Sequence, residues 1–458
     1  MRIQIKNLGN VEYGDLDISK RLTVFCGPNN TGKTYVSYVI YSLLKPQYFF
    51  GDMDVPSLSR VFVEDEVTVE LKPKNLTTYR QNKLQSVRSN LESLFGISDS
   101  DKLSLFKDLS LQYGLSDDEF IKAAVDYELD FIVQWNGLNL SVHKEKGTNT
   151  VKISKPKGIS ASPDDSYIFS WQIMTSIYEM FVNYPFSKSC IFPVERNSIY
   201  TFNKELSIQR NELIEQMQAL KDNKRLGRDS VDRLLGRSTR YPLAIRDCLS
   251  VANDLNNLKK QKSNYADFAE TLERKLLGGK ISVTKEGDME FVPKKGQRLP
   301  IHLSASIVKT LSSLTFYLKH LAVRGDLIII DEPEMNLHPD AQVMLARIFG
   351  QMVNKGLNLL ISTHSDYIIR ELNNMITLGS INDRQSMMEE LGYTPEEVLT
   401  FSDVSVYLFN PKRANSKVAK IESIEVKDDG FSMETIDEVI YQLNINSDRV
   451  NYKLRYNE

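Results

Sequence analysis

Hydrophobic and polar residues alternate in short runs at the start of the chain. Ile3 and Ile5 alternate with polar residues, Tyr13 to Ile18 alternates again, and Leu22–Cys26 is largely apolar. Alternation with a period of two is typical of strands, whereas apolar residues three and four apart are typical of helices. Residues 1–45 therefore predict two or three strands followed by a helix.

The next part of the chain switches between strand-like and helix-like patterns. Residues 61–71 predict a strand, and helical periodicity follows in residues 75–95 and 116–127. Turn residues at Asn136-Gly137 and at Gly147-Thr148-Asn149 separate alternating runs and predict hairpin strands. We interpret this region as a β-rich lobe that is interrupted by a helical insertion.

A helix and the strand-like run Cys190–Pro193 follow within residues 167–200. Residues 203–276 are polar and almost entirely helical in pattern, but they lack a long heptad run. We therefore expect a short helical arm rather than an extended coiled coil. Residues 281–284 and 289–292 predict a second hairpin.

The C-terminal part predicts an α/β arrangement. Leu327–Ile330 and Leu357–Ser362 are apolar runs of the kind found in strands that are buried on both faces. Each is followed by a helical pattern, at residues 340–354 and from Ser365 to near Met375. The remaining segments predict a strand, more alternating sequence and a final amphipathic helix, at residues 404–409, 421–426 and 433–443.

Composition and charge restrict the class of protein. The chain has 458 residues, of which 41% are hydrophobic and 26% charged, and these fractions are typical of globular proteins. No apolar run approaches the roughly 20 residues of a membrane span. Cys26, Cys190 and Cys248 lie far apart, without a CxxC pair, which argues against a disulfide framework. We expect a cytoplasmic protein without a membrane partner.

One glycine-bounded loop carries the strongest chemical signal. It lies between the run Leu22–Cys26 and a helical segment, which is the context of a phosphate-binding P-loop. Two glycines give the backbone its freedom, and the loop N–H groups and the helix N-terminus face an anion. We predict that a nucleoside triphosphate is bound by Gly27, Pro28, Asn29, Asn30, Thr31, Gly32, Lys33, Thr34 and Tyr35. An ordinary Gly/Asn turn is the alternative interpretation.

Acidic residues follow the strand Leu327–Ile330. Asp331 and Thr34 are predicted to hold Mg²⁺, Asp331 through water, and Glu332 is predicted to accept a proton from the attacking water. His364 follows the next buried strand, where its imidazole can meet the γ-phosphate. Lys33, Glu332 and His364 are the predicted catalytic residues, and a helix-capping histidine is the alternative for His364.

The P-loop and these acidic residues lie at opposite ends of the sequence, unlike in a compact RecA-like core. With the run Asp331-Glu332-Pro333-Glu334-Met335-Asn336-Leu337-His338-Pro339 and with Ser362-Thr363-His364-Ser365, the chain resembles the ATP-binding-cassette (ABC) superfamily. It resembles the soluble branch with DNA-repair and chromosome-structural ATPases and overcoming-lysogenization-defect nucleases. These runs look especially like ATPase subunits of prokaryotic antiviral and abortive-infection systems, such as the Septu and PARIS types.

The resemblance covers roughly residues 1–45, 130–200 and 275–410, and it implies an α/β fold. This is an ABC-type head with a mixed β lobe, a RecA-like lobe, helical insertions and a short arm. The implied domains are an N-terminal lobe (1–45 and 130–200), a helical insertion (46–130), an arm (203–276), a C-terminal lobe (277–410) and an extension (411–458).

The resemblance also implies ATP and Mg²⁺ as cofactors, a head-to-head dimer around two ATP molecules, and a separately encoded effector nuclease. Ser304 is the residue that the resemblance places against the partner subunit's γ-phosphate. The segment His302–Lys309 lacks the glycines of the usual signature, so slow or partner-dependent hydrolysis is expected. A core helix with a serine N-cap is the alternative interpretation.

Other family positions are less defined. Gln134 and Gln172 are both candidates for the glutamine that joins the two lobes and senses Mg²⁺. Glu195 and Arg196 follow a strand, where they either lie near the γ-phosphate or link head and arm, and a surface salt bridge is an equal alternative.

The stretch Lys221–Arg240 has a local excess of positive charge. Such a stretch is suited to nucleic-acid phosphates or an acidic partner, although a solvated helix face is the commoner explanation.

No nuclease signature is evident in the sequence. The leading hypothesis is therefore an ATPase subunit of a phage-defence complex. An ATP-stabilised scaffold with negligible turnover and a DNA-repair ATPase are the alternatives, and a transporter subunit fits least.

Overall fold

A computed structural model describes residues 1–47, 54–97, 104–156, 167–202, 241–411 and 418–456 of the chain. The strands are β1 (Arg2–Leu8), β2 (Val11–Asp17), β3 (Leu22–Cys26), β4 (Glu66–Glu70), β5 (Ser110–Tyr113), β6 (Leu129–Trp135), β7 (Leu138–Lys144), β8 (Thr150–Ser154), β9 (Ser189–Phe192), β10 (Gly279–Val283), β11 (Met289–Pro293), β12 (Leu299–Pro300), β13 (Leu327–Asp331), β14 (Asn358–Ser362), β15 (Val404–Pro411) and β16 (Ala419–Ile424).

The helices are α1 (Lys33–Leu44), α2 (Val61–Glu64), α3 (Pro73–Ser89), α4 (Leu91–Phe95), α5 (Asp117–Val125), α6 (Tyr167–Asn183), α7 (Leu243–Asn253), α8 (Leu255–Leu258), α9 (Ala266–Leu272), α10 (Ser306–His320), α11 (Pro339–Asn354), α12 (Asp366–Ser380), α13 (Arg384–Leu391) and α14 (Glu434–Tyr456). Short 3₁₀ turns occur at Ser104–Phe106, Ile301–Leu303, Pro395–Glu397 and Phe401–Asp403, and a π-helical turn at Glu273–Leu277. None of the helices in these described ranges is long and apolar enough to cross a membrane.

A nine-stranded mixed sheet organises the molecule, with the strand order β5-β1-β2-β16-β15-β3-β14-β13-β9. Strands β15, β3, β14, β13 and β9 are all parallel to their neighbours in this run. The carboxyl ends of parallel strands meet at one edge of a sheet, where ligands of α/β proteins bind. The edge therefore brings together the residues that follow β3, β13 and β14. The α/β class predicted from the sequence is confirmed.

The central strands are buried on both faces, as their uninterrupted apolar sequences predict. In β13, Ile328 and Ile330 belong to one hydrophobic core, and Leu327 and Ile329 belong to the core on the opposite face. Helix α1 packs in the second of these cores. Because both faces are covered, the strand ends are held rigidly, and the side chains that follow them have fixed positions.

A second sheet, of order β4-β8-β7-β6, forms the separate β-rich region that the hairpin patterns predict. Helices α3 and α6 pack against it in a third hydrophobic core. The strand predicted over residues 61–71 is shorter in the structure. Asp65 has a φ of 60°, and this left-handed residue separates the short helix α2 from β4. Residues 61–64 are therefore helical rather than extended.

The C-terminal part of the predicted arm and the first strand of the predicted extension join the head. Helices α7 and α9 pack in the first core, where Cys248 Sγ contacts the Ile191 carbonyl oxygen at 3.1 Å. Residues 241–277 thus lie against the sheet, whereas residues 203–240, with the basic stretch Lys221–Arg240, lie outside the described residues. Strand β16 pairs with both β15 and β2, so it completes the large sheet. Helix α14 extends well beyond the predicted residues 433–443.

Candidate nucleotide site

The loop after β3 has the backbone conformation that its glycines permit. Gly27 and Gly32 have φ values of 129° and 95°, which residues with a Cβ rarely adopt. A Cβ on Gly27 would lie 2.6 Å from the Phe409 carbonyl oxygen, and one on Gly32 would lie 2.6 Å from Val11. Close approach of β15 and β2 therefore requires glycine at both positions, in addition to the turn itself.

Two side-chain hydrogen bonds stabilise the conformation of this loop, one from the β1–β2 turn and one within the loop itself. Asn10 Nδ2 donates to the Asn30 carbonyl oxygen at 2.9 Å, and Thr31 Oγ1 donates to the Pro28 carbonyl oxygen at 2.9 Å. Asn30 itself has a φ of 63°, a conformation that asparagine tolerates better than most residues. The loop is therefore held in shape by its own residues and by the β1–β2 turn.

Lys33 begins α1 with its ammonium group over the loop. Its Nζ donates to the carbonyl oxygens of Gly27 and Pro28, at 3.0 and 2.9 Å. Burial lowers the pKa of Lys33 to about 8, and the nearby Asp331 and Glu332 carboxylates oppose that shift. The group is thus placed among the loop carbonyls, where it can turn to a bound phosphate.

The Tyr35 side chain has a structural position. Its ring packs edge-on against Phe95 and Phe106, with centroid distances of 5.4 and 5.5 Å. Its ring is thus part of the hydrophobic core beside α1. Only the backbone N–H of Tyr35, in the first turn of α1, is suited to the predicted nucleotide contact.

Thr34 and Asp331 meet although they lie at opposite ends of the sequence. Thr34 Oγ1 donates to Asp331 Oδ2 at 2.7 Å, and Ser362 Oγ donates to Asp331 Oδ1. Asp331 is 1% exposed. A hydroxyl and a carboxylate are hard oxygen ligands of the kind that Mg²⁺ prefers. The predicted metal pair is therefore assembled, and Ser362 holds its carboxylate.

Glu332 occupies a conformation that is uncommon for a residue with a side chain. Its φ is 46°, and its N–H donates to the Ser362 carbonyl oxygen at 3.0 Å. Burial raises the pKa of Glu332, and the adjacent Asp331 carboxylate adds to this effect. Sparsely populated backbone conformations cluster at functional sites. A carboxylate with a raised pKa is also a better proton acceptor.

His364 lies beside Glu332, with 3.6 Å between His364 Nε2 and Glu332 Oε1. Burial and, to a smaller extent, the Lys33 charge lower the pKa of His364 to about 4, and a hydrogen bond to the Gly27 backbone partly opposes them. The imidazole is therefore neutral near pH 7, so the pair is not an ion pair. Ser365 caps α12, because its Oγ accepts from the Ile368 N–H at 3.1 Å. The helix-capping alternative for His364 is wrong.

Arg196 is a site residue whose role the sequence left open. It is 2% exposed and donates to the carbonyl oxygens of Pro193, Asp331 and Glu332, at 3.1, 2.7 and 2.8 Å. Burial lowers its pKa to about 10. The surface salt bridge considered for this residue is therefore wrong. Its place three residues after Pro193, which ends an apolar run, was the signal that the sequence offered.

Glu334 was missed by sequence reasoning. Its Oε1 accepts from Thr363 Oγ1 at 2.8 Å and from the His364 N–H at 2.6 Å. Burial raises the pKa of this carboxyl. Glu334 thus ties the loop after β13 to the loop after β14 and fixes the backbone of His364. Its place in an acidic run gave no means of distinguishing it from its neighbours.

The predicted signature residue faces inward. Ser304 is 6% exposed, and its Oγ donates to the Ile301 carbonyl oxygen at 2.9 Å. Helix α10 begins at Ser306, with Ala305 as its N-cap, so Ser304 does not cap it either. A 3₁₀ turn at Ile301–Leu303 shifts the helix start, and the exposed hydroxyl at this end of α10 belongs to Ser306. The Ser304 hydroxyl is therefore bonded within its own chain, and its expected contact with a partner stays a prediction.

The candidate glutamines are not joined to the loop. Gln134 is exposed on the edge strand β6, and Gln172 lies on α6. Within the described residues, neither side chain forms a hydrogen bond with Gly27–Thr34. The lobe-joining glutamine thus remains unassigned.

The AAA ATPase domain family matches residues 1–369, a span that includes the P-loop, Asp331, Glu332 and His364. The chain belongs to this family. It therefore carries an ATPase domain, and the geometry of Lys33, Thr34 and Asp331 fits nucleotide and Mg²⁺ binding. No curated protein matches the chain.

A comparison with solved structures matches SMC head domains. The Smc head domain with an extended coiled coil bound to the C-terminal domain of ScpA, from Pyrococcus furiosus, has 12% identity and a TM-score of 0.34. That match covers 97% of this chain and 98% of the other. The SMC head domain from Thermotoga maritima has 10% identity and a TM-score of 0.32, with 93% and 98% coverage.

Proposed function

We propose that this AAA-family ATPase hydrolyses ATP by in-line attack of water on the γ-phosphate. The observation that carries the proposal is the contact between Thr34 and Asp331, which assembles one site from both ends of the chain. The loop N–H groups and Lys33 bind the phosphates and offset their negative charge. Thr34 and, through water, Asp331 would hold Mg²⁺, which when bound would supply electrostatic stabilisation of the developing phosphate charge.

Glu332 and His364 have complementary roles in this proposal. Glu332 orients the water and accepts its proton, supported by the raised pKa of its carboxyl. His364 is neutral and has a single ring N–H, which would exchange the Gly27 backbone for the transferring phosphoryl group and stabilise it without adding charge. Arg196 and Glu334 hold the backbones of these two residues. Arg196 and Glu334 are thus positioning residues rather than catalytic ones.

Two copies are proposed to meet head to head around two ATP molecules. The first turn of α10 offers free N–H groups and the exposed Ser306 hydroxyl, a combination suited to an anion. We propose Ser306, two residues after the predicted Ser304, as the group that faces the partner subunit's γ-phosphate. Without the start of α10 from a second copy, a single copy binds ATP but hydrolyses it slowly.

The cellular role is proposed from the resemblance of residues 331–339 and 362–365 to prokaryotic antiviral ATPases. The ATPase would control a separately encoded effector nuclease in the cytoplasm. Plaque counts with the neighbouring gene product test this role, by comparing wild type with Glu332→Gln. Equal protection by both proteins would contradict control by turnover.

An ATP-stabilised scaffold is the second candidate. The inward Ser304 hydroxyl and the absence of signature glycines favour it. In this reading ATP closes the dimer, and hydrolysis contributes little. Phosphate release that is negligible in both wild type and Glu332→Gln, with ATP-dependent dimerisation retained, would favour the scaffold.

A double-mutant cycle at Thr34 and Asp331 tests the proposed site directly. Thr34→Val and Asp331→Asn each remove one ligand of the same ion, so we expect the double variant to lose little more turnover than either single variant. The effects of substitutions at residues that act together are strongly non-additive in this way. Mg²⁺-dependent phosphate release is the measurement. Additive losses would show that the two residues do not act on a shared ion.

A further inference from the structure

A second cavity lies at the C-terminal end of α10, where cationic side chains converge. It is open to solvent and has a volume of about 440 Å³. Lys259, Lys260 and Lys319 line its rim, and Ile281, Val283 and Phe316 line its apolar part. Pockets for small molecules have volumes of about 300–1,000 Å³ and combine an apolar lining with a few placed polar groups.

The cavity has an excess of positive charge. Its carboxylate, Glu273, is 1% exposed, accepts from the Ile281 N–H at 2.9 Å and lies 3.2 Å from Lys319 Nζ. That carboxylate balances one ammonium group. Lys259 Nζ donates to the Val283 and Thr284 carbonyl oxygens at 3.2 Å. These uncharged acceptors fix the position of the ammonium group but do not neutralise its charge. Lys260 is exposed. Two positive charges are therefore left to attract an anion.

The backbone beside the cavity is unusual. Glu273–Leu277 forms a π-helical turn that continues α9 and ends at Gly278, whose φ is 69°. π-Helical turns are rare and are found frequently at functional sites. This turn places the Glu273 carboxylate beneath Lys319. The backbone thus departs from a regular α-helix at Glu273, the residue whose carboxylate pairs with Lys319.

His320 adds a polar group with a fixed orientation. Its Nδ1 lies 2.7 Å from the Gln261 carbonyl oxygen, and its ring packs on Phe316 with centroids 4.7 Å apart. A carbonyl oxygen only accepts hydrogen bonds, so Nδ1 carries the hydrogen and Nε2 is left as an acceptor for a hydroxyl group on the carbon skeleton of a ligand. The cavity therefore offers ammonium groups, one ring nitrogen and an apolar surface.

We propose that this cavity binds a small phosphate ester. The phosphate lies among Lys259, Lys260 and Lys319, and the carbon skeleton packs on the apolar side. A nucleic-acid strand fits less well, because the lysines converge on one cavity instead of following an open groove. The proposal goes beyond ATP hydrolysis and does not depend on it, since no residue of the nucleotide site lines this cavity.

Isothermal titration calorimetry with inorganic pyrophosphate and with AMP tests the proposal. The full chain carries Lys33→Met, which removes the P-loop ammonium, and is compared with and without Lys259→Glu or Lys260→Glu. We expect each cavity substitution to weaken binding about 10-fold or more, because it removes a charged hydrogen-bond donor to the phosphate and puts a negative charge in its place. Lys260 is exposed, so its substitution leaves the fold intact.

Lys262→Glu is the matched control. Its side chain is 75% exposed and pairs with Asp267 at 3.4 Å, outside the cavity. Binding within about twofold of the parent in this variant supports a defined site, because a solvent-screened charge outside the cavity has little effect on a ligand inside it. Equal loss in all three variants, or binding of neither probe, would overturn the proposal. Cavity-dependent binding of a fluorescent 12-nucleotide single strand alone would overturn it in favour of nucleic acid.

Discussion

Arg196 is predicted to hold the catalytic carboxylate through the backbone. It donates three hydrogen bonds to carbonyl oxygens, two of them on Asp331 and Glu332. Hydrogen bonds to charged groups contribute about 1.5–3 kcal/mol each, so three amount to about 5–9 kcal/mol. Burying one ion costs several kcal/mol. Arg196→Met should therefore lower the free energy of unfolding by about 2–4 kcal/mol.

The effect on turnover follows from the strained backbone. A left-handed conformation costs roughly 1–2 kcal/mol for a residue with a Cβ, and Arg196 binds the carbonyl of that residue, Glu332. Without this hydrogen bond the backbone relaxes and the carboxylate moves. A displacement of about 1 Å costs on the order of 100-fold in rate. We therefore expect kcat to fall about 100-fold in Arg196→Met, whereas the Kd for ATP changes little.

Urea denaturation, steady-state phosphate release and ATP titration measure these three quantities. Arg196→Lys keeps the charge but loses the planar guanidinium, whose two separate nitrogens donate to the Asp331 and Glu332 carbonyl oxygens, so its kcat should fall similarly. Arg21→Met is the control, since Arg21 is about half exposed and lies 4.0 Å from Asp403, and its stability should change by less than about 0.5 kcal/mol. A kcat within threefold of wild type in Arg196→Met would refute the positioning role.

The remaining predictions concern His364 and the start of α10. An unfolded histidine takes up its proton near pH 6.5, but His364 in the fold does so only near pH 4, so the free energy of unfolding should fall as the pH drops through this window. Urea unfolding of His364→Gln should show a smaller fall, and parallel curves would contradict the prediction. Ser306→Arg should block ATP-dependent dimerisation in mass photometry, whereas Ser304→Ala should dimerise normally and lose about 1 kcal/mol of stability. The reverse pattern would restore Ser304 as the residue that faces the partner.

The site residues that could be predicted from the sequence are those whose immediate neighbours in the sequence form a recognisable strand or helix pattern. The P-loop lies between a strand and a helix, and Asp331 and His364 each follow an apolar run, so strand ends place them without any knowledge of the fold. Parallel pairing of β3, β14 and β13 then brings them to one edge. For these residues, spacing and periodicity are sufficient.

The missed residues depend on tertiary contacts. Arg196 and Glu334 act on backbone groups that are distant in sequence, and no local pattern indicates which carbonyl or N–H a side chain will reach. The inward orientation of the Ser304 hydroxyl also depends on a tertiary detail, the 3₁₀ turn Ile301–Leu303, whose first carbonyl oxygen accepts from that hydroxyl. Strand β16 pairs with β2, a contact across almost the whole chain that alternation alone does not specify.

The most direct test of the central claim compares phosphate release and ATP affinity in wild type and Glu332→Gln. General-base groups contribute about 10²–10⁴-fold, so we predict that kcat falls at least about 100-fold while the Kd for ATP stays within about threefold. Glu425→Gln, at an exposed carboxylate paired with Lys427 at 3.4 Å, should leave both values unchanged. Turnover in Glu332→Gln that equals that of wild type would contradict a catalytic site assembled around Glu332.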